Sequence, residues 1–191
     1  MRDLLAPCRR CPGTAEGPRV ITRAHQKGDA ASVAVYSDCM AYRYRLTRVW
    51  GAGQRRVVFV MLNPSTATEL QNDPTVERCE RRARALGFDG FAVANIFAYR
   101  ATDPRVMRAA ADPIGPDNDA AIAALAVWAD VVICAWGRHG ACQGRGRTVE
   151  AALRGAGHAL QHLGLTKAGE PRHPLYLGYD RQPEPWVLQP V

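Results

Sequence analysis

Apolar and polar positions follow two different periods along the chain, and each period indicates a type of secondary structure. Residues 32–50 alternate apolar and polar positions and are rich in β-branched and aromatic side chains, which predicts the two strands of a hairpin. Residues 57–62 form an uninterrupted apolar run, typical of a strand that is covered on both faces. Similar apolar runs predict three further strands, over residues 90–100, 131–137 and 159–166.

Segments with helical spacing separate these strands. Asp73 is a good N-cap, Pro74 a good first helical residue and Gly87 a good stop, which predicts a helix between them. A second helix is predicted over residues 117–130, and the residues before it, from 101 onwards, form a long loop or a short helix. A third helix is predicted over residues 146–157.

The order of these elements predicts an α/β fold. Strands and helices alternate as β-α-β-α-β-α-β after the hairpin, which indicates a three-layer α/β/α arrangement with a central, mainly parallel four-stranded sheet. Residues 1–30 are rich in glycine, proline and charge, so we predict an irregular N-terminal extension there. Residues 31–191 are then expected to form a single α/β domain.

Composition places the chain among globular proteins. Of its 191 residues 47% are hydrophobic and 23% are charged, which excludes a disordered chain. No apolar run approaches the ~20 residues that a membrane-spanning helix needs, and residues 1–13 contain no uninterrupted apolar stretch typical of a signal peptide. We therefore expect a cytoplasmic protein with no membrane partner, and no feature indicates an obligate protein partner.

Positive charge adds a candidate partner. The net charge is +7, and arginine carries nearly all of it, since Lys27 and Lys167 are the only lysines. Because the guanidinium fork pairs with phosphate oxygens, the excess suits a nucleic acid or a nucleotide. The alternative is that a GC-rich genome favours arginine codons. Residues 42–45, YRYR, are expected to form an exposed hairpin face, with a nucleic-acid stripe as the alternative.

Cysteine spacing offers a weak metal motif. Cys8 and Cys11 form a CxxC, whose thiolates could hold zinc or part of an iron–sulfur cluster. No second CxxC follows, so free thiols are the alternative that we favour. We expect no metal and no cofactor, and we expect no disulfide in a cytoplasmic protein.

Candidate chemistry lies where the predicted strands end, because open α/β sheets bind ligands beyond the carboxyl ends of their strands. Asn63 follows the first buried strand, and Asn95 interrupts an otherwise apolar run in the second. A buried amide must find hydrogen-bond partners, so Asn95 either bonds a neighbouring loop or recognises the edge of a nucleobase. The first strand is followed by neither a GxGxxG nor a P-loop, and the chain has neither a serine nucleophile elbow nor an HExxH motif.

Four segments in this order resemble the strand-end motifs of the uracil-DNA glycosylase superfamily: VVFVMLNPST, FAVANIF, VVICAWGRHG and PRHPL. The first resembles a strand followed by Gly-Ile-Asn-Pro-Gly, and the last contains the His-Pro of the family's final motif. Over residues 33–178 the chain also resembles a bacterial and phage family of uncharacterised proteins with YRY, LNPST, NDPT, ATDP and GLTKxGxPRHPLY signatures.

The glycosylase resemblance implies an uracil-DNA glycosylase-like fold and a DNA substrate with a damaged or modified base. It implies that Asn63 positions water and that His173 bonds the leaving base, while Asn95, Pro64, Ser65 and Phe97 hold that base. Because Ser65 stands where one branch has a tyrosine, the base could carry a 5-substituent. The residues expected on the nucleic acid are Arg138, Arg145, Arg147, Lys167, Arg172, Leu175 and Tyr176.

Two other functions fit the same residues. One is a non-catalytic protein that binds nucleic acid or modified nucleotides. The other is a hydrolase or transferase that acts on small nucleotides. An amide at position 63 cannot serve as a general base, so a glycosylase of this kind is expected to be slow.

Overall fold

One eight-stranded mixed sheet organises residues 20–187, the part of the chain that the computed structural model describes. Its strands are β1 Val20–Lys27, β2 Ala30–Ser37, β3 Arg43–Val49, β4 Arg56–Met61, β5 Gly90–Asn95, β6 Val131–Cys134, β7 Leu160–His162 and β8 Glu184–Pro185. They lie in the order β1-β2-β3-β5-β4-β6-β7-β8.

The α/β class is confirmed, but the sheet as a whole is not mainly parallel. Strands β5, β4, β6 and β7 are neighbours in parallel, whereas β1–β2, β2–β3, β3–β5 and β7–β8 are antiparallel pairs. The predicted hairpin exists as β2 and β3, but it does not stand apart from the sheet. It extends the sheet because β3 pairs with β5, with Leu46 opposite Val93.

The expectation of an irregular segment up to residue 30 is wrong from residue 20 onwards. Strand β1 pairs with β2 along its whole length, from Val20 opposite Ser37 to Lys27 opposite Ala30. Its side chains are mostly exposed, so backbone hydrogen bonds hold it rather than an apolar face, and the hydrophobic pattern gave no sign of it. Cys8 and Cys11 lie outside the described residues.

Helices cover both faces of the sheet. They are α1 Pro74–Ala85, α2 Pro104–Ala109, α3 Asn118–Trp128 and α4 Arg145–Gly155. Helix α1 packs Val76, Cys79 and Ala83 on one face, and α2, α3 and α4 pack on the other. The predicted start of α1 is confirmed, because the Asp73 carboxylate accepts the backbone N–H groups of Thr75 and Val76.

The expectation of an exposed face at residues 42–45 is wrong, because residues 42–44 are buried, and strand β3 carries two buried arginines, Arg43 and Arg48. Arg43 donates to the carbonyl oxygen of Ala67 (2.8 Å) and to Oδ1 of Asn95 (3.4 Å). Arg48 donates to the carbonyl oxygen of Thr68 (2.9 Å). Both guanidiniums point to the face that α1 covers, where they anchor the segment between β4 and α1.

No helix within residues 20–187 combines the length and the apolar character needed to cross a membrane.

Candidate functional site

A cavity of about 700 Å³ opens beyond the carboxyl ends of the parallel strands. It is the place where the fold rule expects a ligand. Segments that follow β4, β5, β6 and β7 supply its walls, together with the first turn of α1. The lining residues are Leu62, Asn63, Ser65, Thr66, Asp73, Pro74, Thr75, Ala101, Thr102, Pro104, Trp136, Gly137, Arg138, His139, Thr166, Arg172, His173, Leu175, Tyr176 and Leu177.

The Asn63 side chain is held in one orientation. Its Nδ2 donates to the carbonyl oxygens of Pro64 (3.0 Å) and Ala101 (2.7 Å), so both amide hydrogens are used. The Oδ1 atom accepts no hydrogen bond from the described residues, and it is not sealed from solvent. Asn63 therefore offers the cavity a hydrogen-bond acceptor.

His173 offers a hydrogen-bond donor to the same cavity. Burial lowers the pKa of His173 to about 4, with the Asp73 carboxylate opposing this shift and His139 adding to it. The imidazole is therefore neutral at neutral pH. Its Nδ1 accepts the backbone N–H of Leu175 (3.4 Å), which leaves the ring proton on Nε2.

A glycine lets the loop after β6 approach His173 closely. Gly137 has a φ of +71°, and a side chain there would place its Cβ 3.3 Å from the Cβ of His173. Its backbone N–H donates to the carbonyl oxygen of Pro171 (2.7 Å). The two loops are thus fixed to each other, and they hold His173 at the wall.

Asp73 is the one acidic residue among the described residues that line this cavity. Its Oδ1 accepts the N–H groups of Thr75 (3.0 Å) and Val76 (2.8 Å), which caps α1. Its Oδ2 accepts only a long bond from the N–H of Ala67 (3.4 Å). One carboxylate oxygen therefore keeps most of its capacity for a ligand or a water molecule.

Three basic side chains lie on the wall formed after β6 and β7: Arg138, His139 and Arg172. Neither arginine side chain has an ion-pair or hydrogen-bond partner among the described residues. The pKa of His139 is lowered by burial and then by the charges of Arg138 and Arg108. The two arginine guanidiniums face the solvent without counter-ions, as a phosphate-binding rim requires.

Apolar side chains complete the wall. Trp136 is buried, and its indole N–H donates to the Glu170 carboxylate (2.7 Å). Leu175 lines the cavity, and Tyr176 beside it is 84% exposed. An exposed tyrosine at a cavity mouth provides a flat surface against which a ring can stack.

A second cavity of about 710 Å³ shares Trp136 and Thr166 with the first. Arg147 and Lys167 line it, so the structure divides the predicted phosphate-binding residues between two neighbouring cavities. Within the described residues, no group of three or more histidine, cysteine or acidic side chains could hold a metal ion in either.

Three predicted base-binding residues do not line the cavity. Phe97 is fully buried in the hydrophobic core, and Pro64 is buried with its carbonyl oxygen bonded to Asn63 and Ala101. Asn95 is 2% exposed, and its Oδ1 accepts a bond from Arg43. The expectation that these side chains contact a base is wrong, because the end of β5 and the segments after β4 and β5 pack them into the interior.

Arg145 is also misassigned. It is 4% exposed, donates to the carbonyl oxygen of Ile96 (2.8 Å) and pairs with Asp119. Arg145 thus joins α4 to α3 and to the segment after β5, and its guanidinium has few N–H groups left for a phosphate. Position alone had suggested a phosphate contact, since a loop arginine and a buried helix arginine look alike in a sequence.

Sequence reasoning missed the cavity role of Asp73, Thr75 and Thr102. The N-cap pattern at Asp73 accounted for its residue type, so nothing in the pattern required a second role. Thr102 follows β5 at the same sheet edge as Asn63, and the hydroxyl of Ser65 lies 3.3 Å from its Oγ1. The strand-end rule could have identified Thr102.

Comparison with known proteins gives a family. Residues 43–175 match a family described as a protein of unknown function, DUF1643. The chain belongs to DUF1643. This confirms the prediction that the chain belongs to a family of uncharacterised proteins. The DUF1643 segment begins with β3 and ends at Leu175, so it contains the buried arginines of β3 as well as Asn63, Asp73 and His173. No curated protein and no solved structure matches the chain.

Proposed function

We propose that the protein hydrolyses the N-glycosidic bond of a damaged or modified base in DNA. The observation that carries this proposal is the pairing of an acceptor and a donor across one cavity, Asn63 Oδ1 and neutral His173. The resemblance of the strand-end motifs to uracil-DNA glycosylases supports it, and so does the parallel order of β5, β4, β6 and β7 beneath the cavity.

In the proposed reaction the bond between the base nitrogen and C1′ breaks first. Its electron pair leaves with the base, and the sugar becomes an oxocarbenium-like cation. His173 donates its Nε2 hydrogen to a carbonyl oxygen of the base and stabilises the negative charge that develops there. A neutral imidazole suits this role, because it donates without giving up a full proton.

Water then adds to C1′ of the sugar cation. Asn63 Oδ1 accepts one hydrogen of the water molecule and directs the water oxygen at C1′. The Asp73 carboxylate offers its Oδ2 to the cationic sugar and to the second hydrogen of the water. The water oxygen bonds to C1′, its proton passes to Asp73 or to solvent, and the base anion is protonated by solvent.

The cavity size suits a substituted base. Its volume of about 700 Å³ falls within the ordinary range for ligand sites and leaves space beside a pyrimidine ring. Ser65 stands where one branch of the resembling family has a tyrosine, Thr102 lies beside it on the same wall, and both side chains are small. Since Asn95 and Phe97 are buried, recognition of the base is assigned here to Ser65, Thr102 and His173.

A panel of oligonucleotides tests the proposal. Duplexes and single strands with uracil, 5-hydroxymethyluracil, hypoxanthine and other modified bases are incubated with the protein and then treated with alkali, which cleaves abasic sites. Strand cleavage at one modified position is the expected result. Release of the free base, measured by mass spectrometry, must accompany it.

Three variants connect the activity to this cavity: Asn63→Ala, Asp73→Asn and His173→Asn. Asp73→Asn removes the carboxylate but keeps the helix cap, because asparagine caps a helix as well as aspartate does. Each is expected to lower the rate by roughly 10²–10⁴-fold, the range for positioned proton-transfer groups. Cleavage that survives all three changes, or no cleavage by the wild type on the whole panel, contradicts the proposal.

A non-catalytic binder is the second candidate. The observation that favours it is Asn63 itself, since an amide cannot take a proton from water. This candidate predicts salt-dependent binding of the same oligonucleotides with no base released.

A further inference from the structure

Positive charge exceeds negative charge at the second cavity. Glu150 pairs with Arg154 (3.0 Å), whereas Glu170 accepts only the neutral Trp136 indole N–H (2.7 Å), so one carboxylate charge without an ion pair faces the two cations Arg147 and Lys167. Arg147 and Lys167 are exposed and have no partner among the described residues. The cavity therefore favours an anion.

An aromatic wall lies beside these cations. The Trp186 ring lines the second cavity and packs edge-to-face on Trp136, with their ring centroids 5.6 Å apart. The backbone of Trp186 is fixed as well, since its N–H donates to Leu160 and its carbonyl oxygen accepts from Arg154. A fixed indole with unpaired cations nearby suits a planar group that carries a phosphate.

The two cavities are neighbours with a shared wall. Trp136 and Thr166 line both, and the segment from Thr166 to His173 runs from the second cavity into the first. Lys167 lies at one end of this segment, and Arg172 lies at the other. Unpaired cations thus continue from the rim of the first cavity to the second, as the path of a sugar–phosphate backbone requires.

From this arrangement we propose that the second cavity is a subsite for the nucleotide next to the one that enters the first cavity. This inference rests on the proposed function, and it names the substrate class as a polynucleotide rather than a free nucleotide. Lys167 and Arg147 bind the phosphate of the flanking nucleotide, and Trp186 contacts its base.

Binding measurements test the subsite without requiring catalysis. Fluorescein-labelled thymidine strands of one, two, three and six nucleotides are titrated with the full chain, and anisotropy gives the Kd. Wild-type affinity is expected to rise steeply from one to three nucleotides, because the second cavity fills. Lys167→Gln and Arg147→Gln are expected to weaken trinucleotide binding several-fold and to leave mononucleotide binding unchanged. Each change should also make the salt dependence shallower by about 0.7 in log–log slope, the value for one phosphate on a single strand.

Arg55→Gln is the matched control. Arg55 is an exposed arginine that precedes β4, so it lies at the amino end of this strand, whereas the cavities lie beyond the carboxyl ends. It removes the same charge and is expected to change neither the trinucleotide Kd nor the salt slope. Trinucleotide binding by the Lys167 and Arg147 variants that equals the wild type overturns the subsite, and so does an equal loss for mononucleotide. A wild type that binds no oligonucleotide overturns it too. A protein that binds but never releases a base overturns the glycosidase proposal and leaves the subsite standing.

Discussion

At the scale of single residues, the orientation of the Asn63 amide determines what the cavity can do. Two carbonyl oxygens, of Pro64 and Ala101, fix its nitrogen end, so only the acceptor end is available. A carboxylate could not replace this amide without cost, because its oxygens would face two carbonyl oxygens. The structure thus requires asparagine here for a reason that is independent of catalysis.

Asn63→Asp tests this requirement. The change removes two hydrogen bonds and places a negative charge against two carbonyl oxygens, so we expect a loss of about 1–3 kcal/mol in the free energy of unfolding at pH 7. The loss should shrink as the pH falls, because protonation of the new carboxyl restores a donor. Urea denaturation at pH 7 and pH 4.5 measures both effects. Ser65→Ala is the control and should stay within about 0.5 kcal/mol of wild type; equal losses for the two variants would argue against the orientation.

The half-buried His173 predicts a pH-dependent stability. Its folded pKa is about 4, below the ordinary value of 6.5, so the unfolded chain binds more protons between these values. Stability from this group is fully present above pH 6.5 and is lost as the pH falls through 4, by at most about 3 kcal/mol before solvent screening. Asp73 and His139 are the charged or titratable groups that act on the ring.

His173→Asn removes this contribution, because asparagine does not titrate. The free energy of unfolding of wild type should therefore fall more steeply from pH 6.5 to pH 4.5 than that of the variant. NMR titration of the His173 ring protons gives the pKa directly. Parallel stability profiles, or a ring that titrates near pH 6.5, would show that the imidazole is solvated.

At the scale of elements, strand β3 fixes the segment between β4 and α1, which forms part of the cavity wall. Arg48 is fully buried, and its guanidinium donates to Ser32, Asn72 and the carbonyl oxygen of Thr68. It also lies 3.6 Å from the Glu80 carboxylate of α1. One side chain thus ties two strands and a helix to the segment that carries Asn63 and Asp73.

Arg48→Lys keeps the charge but loses the planar fork, so several of these bonds cannot be replaced. We expect a loss of about 2–4 kcal/mol in the free energy of unfolding, near the lower part of the range for disrupting a buried ion pair. Arg45→Lys on the same strand is the control, since the Arg45 side chain is half-buried and has no hydrogen-bond partner among the described residues. Thermal or urea denaturation compares the two, and equal stability would refute the role assigned to Arg48.

Elements with a hydrophobic period or a cap were predictable from the sequence, and elements held by polar contacts were not. Helix α1 follows from Asp73, Pro74 and its apolar spacing, whereas the exposed strand β1 has no apolar face to detect. The meeting of Asn63 and His173 at one cavity follows from the strand-end rule. The burial of Arg43 and Arg48 does not, because a guanidinium in a sequence indicates a surface residue unless its partners are known.

At the scale of the whole molecule, the C-terminal part of the described chain forms the last strand of the sheet, next to the cavities. Strand β8 pairs with β7, and Trp186 packs on Trp136, whose ring separates the two cavities. The far edge of the sheet and the candidate site therefore depend on a contact that is distant in sequence.

Trp186→Ala should cost about 2 kcal/mol in the free energy of unfolding, less than for a fully buried tryptophan because the ring is only partly buried. Val187→Ala is the neighbouring control; Val187 is 73% exposed, and its change should stay within about 0.5 kcal/mol. Chemical denaturation at neutral pH measures both. If the two variants are equally stable, Trp186 does not hold this edge.

The buried guanidiniums of Arg43, Arg48 and Arg82 also make the protein's own arginines a reporter of loop opening. A dicarbonyl reagent that modifies guanidinium reaches exposed arginines at once, but it reaches these three only when the segments they anchor come loose. Arg43 and Arg48 hold the segment before α1, and Arg82 holds the carbonyl oxygen of Gly178 just beyond the loop of His173. Mass spectrometry of the modified peptides would therefore give the opening frequency of each side of the cavity separately, in the unmutated chain.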